Sequence, residues 1–118
     1  MSEHDDQCVI FQWASLQESV YPELALLFST LNGVRLPIGL AVKAKQAGNK
    51  KGVPDLILPC ARGKYHGLYL ELKYGKNQPT EQQQFWINRL KTEGYYVCVV
   101  WGFEEASEKI TWYLELED

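Results

Sequence analysis

The chain has 118 residues, is 46% hydrophobic and 23% charged, and carries a net charge of −3; it fits one domain, residues 1–118, large enough to bury a core unaided. No apolar run approaches the roughly 18 residues of a membrane span, and the acidic start Met1-Ser2-Glu3-His4-Asp5-Asp6 does not read as a signal peptide. Three cysteines, Cys8, Cys60 and Cys98, with no CxxC pair, argue against a disulfide framework and a structural zinc site and point to a reducing compartment, with a cytoplasmic location expected.

Residues 4–30 predict a helical stretch, because Cys8, Phe11, Trp13, Leu16, Leu24, Leu27 and Phe28 recur near 3.6-residue spacing. Pro22 should break or kink it. Cys8 and Cys98 sit in apolar runs and read as small core residues. Asn32-Gly33 marks a turn. A second, short helix is predicted within residues 35–52. Leu40, Ala44 and Ala47 are its apolar side, Lys43 and Lys45 its polar side, and Gly48-Asn49 its end. Lys50-Lys51-Gly52 then forms a basic turn.

Residues 54–58 and 67–73 predict a β-hairpin joined by a long polar connection. Pro54 at a strand head loses no ladder bond, and Val53 before it is biased to extended backbone. Thr80 opens a helix, and Gln83 three residues on completes a capping box. Phe85, Trp86, Ile87 and Leu90 supply its apolar side, and Gly94 stops it. Residues 95–101 form a near-continuous apolar strand, the pattern of strands buried on both faces. Strand, helix and strand in that order imply a parallel, right-handed crossover. Residues 103–113 predict a last helix, acidic at its start. The order α-β-β-α-β-α describes an α/β protein with a mixed β-sheet flanked by helices. The aromatic residues, 13% of the chain, are assigned mainly to the core.

Charge is unevenly spread. From residue 35 to residue 76 there are nine basic residues, Arg35, Lys43, Lys45, Lys50, Lys51, Arg62, Lys64, Lys73 and Lys76, against two acids, Asp55 and Glu71. That segment is +7 and the remainder −10, which suggests a polyanion-binding face on an acidic body.

On the strand 67–73, alternation puts Leu68, Leu70 and Leu72 on one face and Tyr69, Glu71 and Lys73 on the other. An acid and a lysine thus share a face two positions apart. Asp55 heads the neighbouring strand, and hairpin pairing can set it beside Glu71, although the register is open. Two carboxylates held together favour a cation between them, and oxygen donors suit Mg²⁺ or Mn²⁺. The Leu72 carbonyl is a further candidate ligand. Lys73 is placed to contact a phosphate or stabilise an attacking hydroxide. An E-x-K tripeptide alone is weak, because surface strands often alternate such charges. The Pro-Asp upstream and the basic surround give it weight. His66, just before the strand, reads as structural, and His4, near the terminus, receives no role.

Gly52-Val53-Pro54-Asp55-Leu56, Gly67-Leu68-Tyr69-Leu70-Glu71-Leu72-Lys73 and Thr80-x-x-Gln83-x-x-Trp86 together resemble the virus-type replication-repair nuclease (VRR-NUC) family of the PD-(D/E)xK nuclease superfamily. The resemblance implies a restriction-endonuclease-like core, a divalent metal and hydrolysis of DNA phosphodiesters. It assigns metal ligation to Asp55 and Glu71, catalysis to Lys73, and a place behind the site to Gln83. The family also uses a glutamate from its first helix. Glu3, followed by Gln7, is most similar to that segment, with Glu18 and Glu23 as competitors. Lys43, Lys45, Lys50, Lys51, Arg62, Lys64 and Lys76 are the expected nucleic-acid contacts.

Stand-alone members of the family are similar to Holliday-junction resolvases that act as symmetric dimers. A chain with no added DNA-reading module suits recognition of shape more than of sequence. The expected function is therefore a structure-selective DNA endonuclease, using Mg²⁺ or Mn²⁺ and acting as a homodimer on branched or four-way-junction DNA in repair. Three alternatives stay open: a less selective or restriction-like nuclease, a non-catalytic nucleic-acid-binding module on the same fold, and an interaction protein whose basic loop is incidental.

Overall fold

Ser2 starts the first helix. Its hydroxyl accepts a hydrogen bond from the Asp5 N–H, and Glu3, Asp5 and Asp6 fill the first turn, where the helix dipole favours acids. The computed structural model describes residues 2–33 and 35–117, and this helix, α1, spans Glu3–Gln17. Asp6, Ile10 and Ala14 are its buried residues, a row at i, i+4 spacing. Phe11 and Trp13 pack partly against the core. The expected helical stretch 4–30 therefore ends early. A 3-10 turn, Pro22–Leu26, and a two-residue strand, β1 (Phe28–Ser29), take its second half. Leu24 and Leu27 are buried as their spacing suggested. Cys8 and Phe28 are exposed, and Leu16 is 78% exposed. The row of α1 facing the core is set by the sheet beneath it, and that row is not the one on which Cys8 and Leu16 lie.

Three further strands, β2 (Leu56–Leu58), β3 (Leu68–Lys73) and β4 (Tyr96–Trp101), complete a sheet of order β1-β2-β3-β4. β1 and β2, and β2 and β3, are antiparallel, while β3 and β4 are parallel. Leu56 faces Leu70 and Leu58 faces Leu68, so the leucines of both strands share a face. They pack with Ile10 and Ala14 of α1 and with Ala106, Ile110 and Tyr113 of α4 (Gly102–Leu114) in one cluster. Each fully buried aliphatic side chain there contributes roughly 1.5–3 kcal/mol. The opposite face is covered by α3 (Glu81–Thr92), whose capping box, Thr80 with Gln83, is formed as expected and whose Ile87 is buried. The sheet is thus mixed and flanked by helices on both faces.

Three expectations need correction. β4 is an edge strand, and of its six residues only Val97 and Val100 are buried. Its continuous apolar run reflects helices over both faces, but nothing among the described residues pairs with its outer edge, so Cys98 is half-buried. The short helix α2 (Ile38–Gln46) exists, yet it has no buried residue, and Leu40 is exposed. The aromatic side chains are mostly half-buried. Tyr113 alone is among the fully buried ones, with its hydroxyl donating to the Cys60 carbonyl at 2.6 Å.

Candidate active site

The antiparallel register of β2 and β3 settles the first question about the site. Leu56 opposite Leu70 puts Asp55, one residue earlier, beside Glu71, one residue later. Asp55 is held from both sides. Its Oδ2 accepts the Leu72 N–H at 2.7 Å, and its carbonyl accepts the Thr30 N–H at 2.8 Å. The Thr30 hydroxyl donates to the Pro54 carbonyl at 3.0 Å. β1 is short, but it leads directly into this clamp.

Gly52 explains the approach to Asp55. Its φ is +98°, and a Cβ there would lie 3.0 Å from the backbone C and O of Gln82 on α3. Only glycine lets the loop turn so and lie so close. The segment before Asp55 is thereby pressed against α3, and Gln83, the next residue of that helix, lines the same cavity as Asp55. The Gln83 Oε1 accepts the Thr80 N–H in the capping box, so the cap also fixes this side chain.

The cavity measures about 180 Å³ and is lined by Asp55, Glu71, Leu72, Lys73 and Gln83, with Glu3, His4 and Gln7 from α1 and Asn32 from the turn after β1. Glu71 is 1% exposed, and Asp55 and Lys73 are also buried. Lys73 Nζ lies 3.6 Å from Glu71 Oε2, while Glu71 Oε1 has no hydrogen-bond partner. Burial, reinforced by the Asp55 charge and opposed by Lys73, pushes the Glu71 carboxyl up to about 8. Burial also raises Asp55, against the Leu72 N–H and Lys73, which favour its anion. Glu3 is raised by partial burial, with Lys73 acting against it and the Asp55 and Asp6 charges adding to it.

These observations fit a divalent cation. Two buried carboxylates that resist ionising together, one with an orphaned oxygen, are stabilised by a positive charge between them. Asp55, Glu71 and the Leu72 carbonyl offer oxygens, the choice of Mg²⁺ or Mn²⁺. No group of three His, Cys, Asp or Glu side chains suited to a metal ion occurs among the described residues. Asp55 and Glu71 are thus a partial set, as Mg²⁺ accepts when water and substrate phosphate complete its shell. Glu3 lines the same cavity. Its competitors lie elsewhere: Glu23 is ion-paired with Arg62, and Glu18 is exposed.

The basic residues separate into groups. Lys45, Lys50 and Lys51 line one groove together. Lys43 and Lys76 are exposed. Lys64 lies before the opposite end of β3, in a cavity shared with Lys91 and Tyr95. Arg62 is turned inward, donating to the Leu114 and Ala61 carbonyls and pairing with Glu23. Its charge serves the tertiary structure. The His66 backbone N–H donates to the Gly94 carbonyl at 2.9 Å, and its ring covers the place where a Gly94 Cβ would sit, a packing contact in line with a structural reading.

Sequence reasoning missed His4, Gln7 and Asn32 as lining residues. Gln7 was within reach, since i and i+4 share a helix face and Glu3 had been singled out. Asn32 read only as a turn residue, yet its Nδ2 is buried without a partner at the cavity.

The VRR-NUC domain model matches residues 2–104. A solved structure described as a VRR_NUC domain protein superposes with a TM-score of 0.83 at 33% identity, covering 100% of this chain and 92% of that one. Among curated proteins no relative matches. With an aligned model over most of its length and a shared fold that carries Asp55, Glu71 and Lys73 in one cavity, the chain belongs to the VRR-NUC family, nuclease-type domains built on a restriction-endonuclease-like core.

Proposed function

We propose that this protein is a divalent-metal-dependent endonuclease that hydrolyses phosphodiester bonds in branched DNA, four-way junctions above all, as a homodimer. The observation that carries the reading is the buried Asp55–Glu71 pair with its unpartnered oxygen and Lys73 beside it. Asp55 and Glu71, with the Leu72 carbonyl and Glu3, would hold Mg²⁺ or Mn²⁺, which when bound polarises the phosphate and makes a water more acidic. Lys73 donates to the phosphate oxygen on which charge grows, from a low-dielectric site where that contact is strong. Its 3.6 Å approach to Glu71 keeps the ammonium aimed into the cavity. The Leu72 N–H occupies one Asp55 oxygen, Oδ2, and the other would serve the metal. Gln83, held by the capping box, closes the α3 side. Three free cysteines suit work in the cytoplasm.

The test is cleavage of four-way-junction, flap, nicked and linear DNA with Mg²⁺ or Mn²⁺ and in excess chelator. Cleavage should require the metal and prefer the junction. Undiminished cutting in chelator overturns the metal, and equal rates on every substrate overturn the structural preference.

A further inference from the structure

A groove of about 670 Å³ lies between the end of α2 with the loop after it and the outer side of α3. One wall carries Lys45, Lys50 and Lys51, and the other carries Phe85 and Trp86. No carboxylate is among the described residues that line it. Phe85 is 57% exposed on an otherwise polar helix surface. Its ring meets Trp86 edge-on, at 6.4 Å and 89°, and the Arg89 guanidinium lies 5.9 Å from its centroid. The groove adjoins the active site through the chain itself. Gln82 lines the groove and Gln83 the catalytic cavity, while Lys51 stands four residues before Asp55 on the loop that Gly52 presses against Gln82.

We propose that this groove receives an unpaired DNA strand on its way to Asp55 and Glu71, with a base stacked on Phe85 and backbone phosphates on Lys45, Lys50 and Lys51. The proposal rests on the nuclease reading above and deepens it. Lysines alone attract any DNA, since they contact only phosphate. An exposed aromatic ring beside them adds a second requirement, a base with a free face. In B-form duplex the base faces are stacked on one another, and only groove edges and sugar–phosphate are offered. Unpaired segments at flaps and opened junctions offer both. The aromatic wall therefore selects strand structure, and the lysine wall supplies affinity.

The experiment measures equilibrium binding of the full chain, in chelator, to fluorescent oligothymidine and to a blunt duplex of equal length. Phe85→Ala should weaken single-strand binding about tenfold, the worth of one base stack, and leave duplex binding unchanged. Phe85→Leu, which keeps an apolar side chain and protects the fold, should lose the same affinity, and Phe85→Trp should retain it. Lys50→Ala with Lys51→Ala should weaken both DNA forms and flatten the salt dependence. Equal losses on both forms for Phe85→Ala, or none on the single strand, overturn the proposal. A concentration-dependent rise in mass that Phe85→Ala abolishes assigns the groove to a second copy and overturns it as well. Wild-type protein that shows the Phe85 dependence but cuts no DNA with either metal retires the nuclease reading and leaves the groove standing.

Discussion

At the scale of single residues, the proposed chemistry rests on Glu71 and Lys73. Lys73→Ala should leave the fold in place and lower the single-turnover cleavage rate about 10²–10³-fold, the usual cost of removing one donor to a developing oxyanion. DNA affinity, measured without turnover, should change little, because Lys45, Lys50 and Lys51 remain. Wild-type cleavage by this variant removes Lys73 from the mechanism. Glu71 makes stability depend on pH. Its folded pKa of about 8 lies above the ordinary 4.5, and Asp55 is raised as well. Between those two values the unfolded chain releases the Glu71 proton and the folded chain keeps it, so the folded state is progressively disfavoured as pH rises. In chelator, the thermal midpoint should be higher at pH 5 than at pH 8, with this contribution levelling off above pH 8. Added Mn²⁺ should raise it more at pH 8 than at pH 5. The reverse order in a thermal scan contradicts the assignment.

At the scale of elements, the loop between α2 and β2 matters most. Gly52 combines a positive φ with a 3.0 Å approach to the Gln82 backbone. Gly52→Ala should destabilise the protein by about 1–3 kcal/mol from backbone strain alone, with the loop pushed off α3. Because Asp55 follows three residues later, cleavage should fall by more than the loss of folded protein explains. Urea unfolding beside single-turnover rates separates the two effects, and an unchanged midpoint shows that the loop relaxes without cost. The capping box of α3 works in the same direction, since Thr80 and Gln83 satisfy helix-end N–H groups while locating Gln83 at the cavity.

At the scale of the whole molecule, one chain presents one Asp55–Glu71 centre, and paired cuts on a four-way junction take two. If a four-way junction is the substrate, as proposed, the protein should be a two-fold dimer with both centres on one DNA-facing surface. α2 has no buried residue and displays Ile38, 85% exposed, with Leu40 and Val42 also exposed, apolar area of the kind an interface would cover. Light scattering across a concentration series, paired with a junction assay, checks this. A strict monomer that resolves junctions by simultaneous paired cuts contradicts it, and a monomer that nicks flaps supports a less selective nuclease.

Short-range chemistry was legible in the sequence. The alternation in Leu68–Lys73, the Thr80–Gln83 capping box and the Gly-x-Pro-Asp segment each rest on neighbours a few residues apart, so the strand face bearing Glu71 and Lys73 could be read directly. Long-range packing decided the rest. Only the β2–β3 register put Asp55 beside Glu71, and only the placement of α1 brought Glu3 to the cavity while Glu23 went to Arg62. Cys8, Leu16 and Phe28 fitted a helical period, yet the face buried in α1 belongs to Asp6, Ile10 and Ala14. A period shows that a helix has faces; the sheet it lands on selects which one is buried. The same holds for charge. The basic segment between residues 35 and 76 was visible as composition, but its division into Lys45, Lys50 and Lys51 on one groove and Arg62 turned inward depends on contacts between residues far apart in the chain.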